Sequence, residues 1–511
     1  MKQRDSNTIS LWQDIPLNSY PSPSTDANKV YDVLIVGAGI TGLTTAILLQ
    51  RAGKKCMIAE GKTVGFGTTG GTTAHINTFF DTSYHDIATD FGQDAAKLIA
   101  NAATDAFSLL KNLIDTEHID CDFEYKDAYV YAEEEKETKE LVKILAATRE
   151  AGINAVEVRE NMVPVPFQMA MLITEQGQFH PLKYIDHLAK VFIDAGGIIT
   201  EHTFIDKTEL KDGVHIASSR NLTIKATNIV YATHMPPGIN SLDFKCAPYR
   251  SYVLGIKLKN DAYPDALVYD MQEPYHYFRT HVVNGQKYLI LGGEDHKTAH
   301  DDPEQAFAEL AAYAAKYYNI ASIDYRWSAQ YYVPADGLPY IGQLPAGPEN
   351  IYIATGYSGN GMTYGTLAAI IISDQILGVE NPYAELLSPS RIKPIAGFEE
   401  FVKENADVAF HYIADRLSVD AIESLGELEP GNGKVLNYKK EKLAIYKAED
   451  GTVTALSPYC THAGCIVNFN AIEKSWDCPC HGGRFTVQGE VLTGPPRKNL
   501  SPIVIGEGLK Q

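Results

Sequence analysis

The chain is poor in several things that would otherwise place it quickly. Basic residues are outnumbered, with 44 Lys and Arg against 64 Asp and Glu, giving a formal charge of −20. Such a surface repels nucleic-acid phosphates and anionic lipid, so neither is an expected partner. No apolar run approaches the roughly 20 residues needed to cross a bilayer; the longest are broken by Gly, Thr or Ser. Residues 1–16 lack the apolar segment of a secretory signal, which makes the cytoplasm the expected location. There are only 7 Cys, unevenly placed. Cys56, Cys121 and Cys246 are scattered and read as buried thiols. Cys460, Cys465, Cys478 and Cys480 cluster near the end, and in a cytosolic chain a cluster points to metal rather than to a disulfide framework. Internal repeats and low-complexity tracts are missing as well. With 45% hydrophobic residues over 511 positions, the chain has ample core for two to four domains.

What is present is organised around residues 32–60. A short apolar run, 33–36, reads as a buried parallel strand. It breaks at Gly37, Ala38 and Gly39, with Gly42 three residues on, and an apolar helix-period segment follows. Gly37 permits the tight turn, Gly39 the close approach of a pyrophosphate, and Gly42 close packing of helix on strand. The helix N-terminus adds free N–H groups and partial positive charge. A second strand, 56–59, ends in Glu60, placed to bind ribose hydroxyls and unsuited to an extra 2′-phosphate. A coincidental glycine turn is the plain alternative, but strand, turn, helix, strand and acid all occur in order.

Residues 1–28 are polar and rich in Pro and Ser, and read as an arm on the surface. Residues 61–77 hold too many Gly and Thr for a regular element and are expected to form a loop laid against a ligand. Helices are expected over 86–117, 133–151, 184–195, 304–317 and 366–377. Strands are expected at 123–131, 228–232 and 351–354. Tyr-rich segments 249–258, 266–278 and 287–292 suggest a separate antiparallel sheet. A second Gly-rich strand-to-helix turn, 355–365, could bring more backbone donors to the same cofactor. Residues 382–416 read as a linker with a short helix at 398–405. Beyond 428 the texture becomes short strands and tight turns, an all-β module.

Several blocks together resemble the superfamily of D-amino-acid oxidase, glycine oxidase and sarcosine oxidase. They are the VGAGITG turn, the GTTGGTTAHIN loop, Gln178-Phe179-His180-Pro181, the Pro334 to Pro339 stretch and ATGYSGNGMTYG, in family order over roughly 31–378. The resemblance implies an α/β FAD-binding (Rossmann-like) domain with an inserted antiparallel α+β substrate domain. It implies that FAD takes a hydride from the carbon beside an amine. It also implies that Gly37, Gly39 and Gly42 hold the pyrophosphate, that Glu60 holds the ribose, and that Thr68, Thr69, Thr72 and Thr73 line the flavin. Gly356, Gly359, Asn360, Gly361 and Met362 would close over the ring, where a helix N-terminus stabilises the negative charge of reduced flavin. For the substrate, Tyr275, Tyr277 and Arg279 alternate on one strand face, with Arg250 and Tyr252 repeating the alternation nearby. An arginine there could clamp a carboxylate, making Arg279, Tyr277 and Tyr252 the candidate catalytic residues. The competing reading is a polar sheet face. His75 and His296 read as structural or surface histidines, and His75 matches no flavin-linkage motif. Oxygen-using sarcosine oxidase relatives carry a lysine just before a strand-end glycine, where this chain reads Leu289-Ile290-Leu291-Gly292. Its loss disfavours reaction with oxygen.

Near the end, Cys460-Thr461-His462-Ala463-Gly464-Cys465 and Cys478-Pro479-Cys480-His481-Gly482-Gly483 resemble the two boxes of a Rieske protein. The resemblance implies a [2Fe-2S] cluster held by Cys460, His462, Cys478 and His481, a disulfide between Cys465 and Cys480, and a covering loop at Gly494-Pro495-Pro496. A tetrahedral zinc site is the rival reading. High-potential Rieske proteins carry a serine and a tyrosine where this chain has Gly483 and Phe485, so a potential in the lower half of the Rieske range is expected.

The expected organisation is thus an N-terminal arm (1–29), an FAD oxidoreductase domain (30–380), a linker (381–425) and an all-β Rieske domain (426–511). Within the second, FAD segments fall at about 30–80, 150–235 and 330–380, and the substrate domain at about 81–149 and 236–329. The expected activity is oxidation of a small amine or amino-acid-like donor, with electrons passing from FAD to the cluster and on to an external acceptor. A reductase serving an oxygenase and a non-enzymatic redox sensor are the alternatives.

Overall fold

The computed structural model describes residues 4, 7–20, 29–160, 162–300, 302–391, 428–438 and 441–504. The helix expected at 398–405 lies outside them. Three architectural units share this chain, matching the expected fold class.

The first is a sheet whose five parallel strands run, in spatial order, Ile351–Thr355, Thr223–Tyr231, Val30–Val36, Cys56–Ala59 and Ile198–Thr200. Tyr340–Gln343 extends one edge antiparallel. Val33, Leu34 and Ile35 are fully buried, which is why this strand reads as a continuous apolar run rather than an alternating one. Helices Ile40–Arg51 and Gly361–Leu377 pack together on one face. Gly42 is dictated by that packing: a Cβ there would lie 2.0 Å from the Gly37 carbonyl oxygen.

The second unit is a nine-stranded, mainly antiparallel sheet. Its long strands run, from one edge inward, Ile320–Pro334, Cys246–Leu258, Gln286–Lys297 and Tyr277–Val283. One face packs on helix Pro303–Tyr317; the other looks toward the dinucleotide sheet. Ile320–Pro334 and Met169–Gln178 were not expected as strands, because Asp, Arg, Gln and Glu interrupt their apolar pattern. The helix expected over 86–117 is two helices, Tyr84–Phe91 and Gln93–Thr116, separated at Gly92.

The C-terminal unit holds two small antiparallel sheets: Asn432–Tyr438, Glu441–Lys447 and Val453–Leu456, then Asn468–Asn470, Ser475–Asp477, Arg484–Thr486 and Val491–Thr493. It docks through charge. Glu473 is buried and meets Arg250 at 2.8 Å and Arg484 at 2.5 Å, and it accepts from the Ser328 hydroxyl. Arg484 is held by Asp477 as well.

Both presumed connectors are more engaged than their composition suggests. Leu11 and Trp12 are fully buried, the Trp12 indole donates to the Thr72 carbonyl at 2.6 Å, and Ser10 donates to the Gly70 carbonyl. Two large apolar side chains turn part of the arm into a plug beneath the Gly/Thr loop. At the start of the expected linker, Tyr383 and Leu387 are buried in the core and Arg391 pairs with Asp336 at 2.7 Å. No helix among the described residues is long and apolar enough to cross a membrane.

Candidate active site

A cavity of about 290 Å³ lies between the two large sheets. One end is built by the first strand-turn-helix. Gly37 and Gly39 line it, and Glu60 anchors the turn by accepting from the Ala38 and Lys62 N–H groups, both at 2.8 Å. Burial raises the Glu60 pKa. The Gly/Thr loop runs along the middle, folded into a short helical turn at Thr68–Gly71 rather than left irregular. Thr68 donates to the Gln330 carbonyl at 3.0 Å, and the Thr69 hydroxyl accepts from the Ile40 N–H at 3.2 Å. Thr72 and Thr73 continue the wall, and Gly359, Asn360, Gly361 and Met362 close it from the second Gly-rich turn. Gly42 and Gly356 do not line the cavity. Gly42 sets the helix-strand distance, and Gly356, at φ +75°, turns the chain against Pro334 and the Cys246 thiol.

The far end rests on the antiparallel sheet, and here the sequence expectation needs correction. Tyr277 does face the cavity, its hydroxyl 2.7 Å from that of Ser251. Arg279 does not. Its guanidinium turns away to the carbonyls of Thr73 (2.6 Å) and Ala74 (2.9 Å) and to His281 (2.8 Å), and lies over the Trp12 ring at 5.3 Å. Burial lowers its pKa to about 9. It clamps the backbone behind the flavin loop, not a substrate. Tyr252 also faces away, packed on His296 and Phe307 at 4.9 and 5.0 Å. On that strand the cavity positions are Ser251 and Val253, so the expected alternation was out by one residue, which moves every side chain to the opposite face. A bulge in the pairing between Arg250 and Tyr252 is the local irregularity that composition cannot reveal. His75, expected to be structural, does line the cavity, and burial followed by the nearby Arg279 charge hold its pKa well below the ordinary value.

Sequence reasoning missed two carboxylates at this end. Asp81 opens to the cavity and accepts from the Gly359 N–H at 2.6 Å. Asp295 accepts from the Tyr331 hydroxyl at 2.8 Å, and burial pushes its pKa up to about 7. Isolated Asp residues in a chain with 64 acids carry no sequence signal.

The C-terminal boxes converge. The rings of His462 and His481 lie 4.9 Å apart at 86°, both buried, and no ring nitrogen of either has a hydrogen-bond partner. Buried ring nitrogens without such partners are costly unless a ligand takes them, and each imidazole can give one nitrogen to a metal. The Cys460 and Cys478 thiols are buried, and neither is in a disulfide. Cys465 and Cys480 form a disulfide. The sulfurs of Cys465, Cys478 and Cys480 also lie within 4.8 Å of one another, but two of these are bonded to each other and are not free to ligate. The donor set left, two thiols and two imidazoles, fits a [2Fe-2S] cluster of Rieske type. A Cβ on Gly483 would lie 2.6 Å from Pro496, so the loop over the site leaves no room for the serine of high-potential relatives.

The two sites adjoin. Val491 to Pro496 of the C-terminal unit line the cavity. Tyr332 lines it too, and its hydroxyl donates to the His481 carbonyl at 3.1 Å. Gln330 donates to the Gly482 carbonyl at 3.0 Å. Asp243 and Phe244, from the turn Ser241–Phe244, cover the imidazoles, with Asp243 3.3 Å from His462.

Comparison with known proteins places both parts of the chain in families. Residues 32–375 match the FAD dependent oxidoreductase family and residues 419–504 match the Rieske [2Fe-2S] domain. A Bacillus subtilis protein named for a Rieske 2Fe-2S iron-sulfur centre, YhfW, is 33% identical over 493 residues, 96% of each chain. Gamma-glutamylputrescine oxidoreductase of Escherichia coli is 22% identical, over 71% of this chain and 87% of its own. The fold resembles glycine oxidase from Geobacillus kaustophilus, at a TM-score of 0.59 and 19% identity over 71% of this chain and 99% of that one.

Proposed function

The chain belongs to the FAD dependent oxidoreductase family and ends in a Rieske [2Fe-2S] domain, and from that premise we propose a dehydrogenase with a built-in electron outlet. It oxidises a small amine or amino-acid-like donor and delivers the electrons through its own cluster to an external acceptor. The observation that carries this reading is Tyr332, which walls the cavity on one side and hydrogen-bonds the backbone of a cluster ligand on the other.

FAD, when bound, takes a hydride from the carbon beside the amine and gives up electrons one at a time; the cluster carries one. The protein's own residues do the rest. Gly37 and Gly39 leave space for the pyrophosphate at the N-terminus of helix Ile40–Arg51. Asn360 and Gly361 set the start of helix Gly361–Leu377 against the flavin end, where its dipole stabilises negative charge. Neutral His75 can accept a proton inside the cavity. Lys62 is the one lysine or arginine in the cavity wall among the described residues, and it sits by Glu60 at the dinucleotide end. With no cation at the flavin end, reduction of oxygen is not favoured, and the cluster is the better outlet. Names among the relatives, gamma-glutamylputrescine oxidoreductase and glycine oxidase, support a donor with a C–N bond.

The test is anaerobic mixing of the full holoprotein with a panel of amines and amino acids. Flavin bleaching followed by the electron paramagnetic signal of reduced cluster is the expected sequence. Bleaching that leaves the cluster oxidised defeats the proposal, and bleaching by NADH but by no amine reverses the direction of flow.

A further inference from the structure

The far end of the cavity is walled by tyrosines and organised by acid. Tyr269, Tyr275, Tyr277 and Tyr331 present their rings there with Ser251 and Asp81. The hydroxyl protons have an evident destination. Tyr331 donates to Asp295 at 2.8 Å, and Ser251 and Tyr275 lie near the same carboxylate. Tyr277 meets Ser251 at 2.7 Å. The Tyr331 proton is thereby held on Asp295, which leaves its oxygen's lone pairs to the surroundings, and the Tyr269 hydroxyl accepts from Asn77 at 2.7 Å. Asp81 adds a second acceptor-rich group, open to the space. This end therefore offers acceptors and aromatic faces.

Cations are turned elsewhere. Arg279 is tied to backbone carbonyls behind the flavin loop, and Arg250 to Ser328 and Glu473. Among the described residues no lysine or arginine lines this end. An α-carboxylate entering here would find no two-pronged partner and would face the carboxylate of Asp81. An ammonium carries three donors and no acceptor, and its charge is attracted by tyrosine faces.

Resting on the FAD dehydrogenase reading, we propose that the substrate is a cationic amine with no carboxylate on the reacting carbon, and that Asp81 is its specificity-determining contact. Asp295 is a positioning residue that acts through the hydroxyls.

Three isosteric probes decide this on the flavin-loaded full chain. In each the carbon bearing the charged group carries no hydrogen, so none is oxidised there: tert-butylammonium (cation), pivalate (anion) and 2-aminoisobutyrate (zwitterion). Binding is read as a saturable change in the flavin absorption spectrum. Tert-butylammonium is expected to bind at least tenfold more tightly than either carboxylate. Asp81→Asn should weaken it at least tenfold with flavin content unchanged, and Asp81→Glu should recover part of the loss. Asp295→Asn should weaken it and remove its pH dependence near neutrality. Tighter binding of pivalate or 2-aminoisobutyrate, no response to any probe, or an Asp81→Asn variant that binds tert-butylammonium normally would overturn the inference. Purified protein without flavin would instead defeat the underlying FAD reading.

Discussion

Replacing Glu473 by Gln tests how the C-terminal unit is held. Glu473 is 1% exposed and bridges Arg250 at 2.8 Å and Arg484 at 2.5 Å. Its pKa falls from the ordinary 4.5 to about 2: burial alone would raise it, and the charges of Arg250 and Arg484 more than reverse that. At about 1.4 kcal/mol per tenfold change in proton affinity, that fall corresponds to roughly 3 kcal/mol. Removing one partner of a buried pair costs about 3–5 kcal/mol by general experience, which agrees. Arg484 keeps Asp477 at 2.9 Å in the variant, but Arg250 is left with the Ser328 hydroxyl. The native pKa lies below the unfolded one, so this stabilisation is present above about pH 4.5 and drains away as pH falls toward 2. The chain has more than one unit, so the suitable assay is the midpoint at which the cluster's visible circular dichroism is lost on heating, for both proteins across pH. The variant should melt several degrees lower at pH 7, with the gap narrowing below pH 4. Equal midpoints at pH 7, or a gap as wide at pH 3 as at pH 7, would refute the assignment of the load to this carboxylate.

Four further outcomes are expected. Phe485→Tyr, in the buried cluster core, should raise the cluster potential in film voltammetry by up to about 60–130 mV, one hydrogen bond to a charged group at ~1.5–3 kcal/mol; an unchanged potential denies the new hydroxyl a cluster sulfur. Gly42→Ala places a Cβ 2.0 Å from the Gly37 carbonyl oxygen and should yield protein with little or no bound flavin by visible absorbance, the cluster remaining. Tyr332→Phe removes the hydroxyl bonded to His481 and should slow cluster reduction severalfold in stopped flow while flavin bleaching keeps its rate. Binding of tert-butylammonium should weaken as pH falls through about 7, where Asp295 takes up a proton among Asp81, Ser251 and the facing tyrosines; titration at several pH values with a flat result contradicts this.

The parts legible in the sequence were those with a local cause. A glycine turn between an apolar strand and helix needs no distant partner to be recognised, and Gly37, Gly39 and Glu60 line the cavity together. Two Cys-His boxes announce a donor set by spacing. The substrate end was not legible, because its identity depends on which face of a strand looks inward. Arg279 and Tyr252 have suitable chemistry, yet one faces backbone carbonyls and the other a stacked histidine. Asp81 and Asp295 come to one place only through contacts between segments more than 200 positions apart, as Gly359 to Asp81 exemplifies. Trp12 is similar: a polar arm conceals two side chains that find burial only in the folded protein.

The covered imidazoles have a consequence for traffic beyond the molecule. Asp243, Phe244 and Tyr332 pack against His462 and His481, the imidazoles that would hold the cluster. While the halves stay together an external carrier would not reach those rings, so on the proposed route electrons would arrive there and would have to leave by another face. Tyr459 and Thr461, flanking Cys460, are exposed to water. On the proposed route they would mark the outward berth, a public exit to a private entrance.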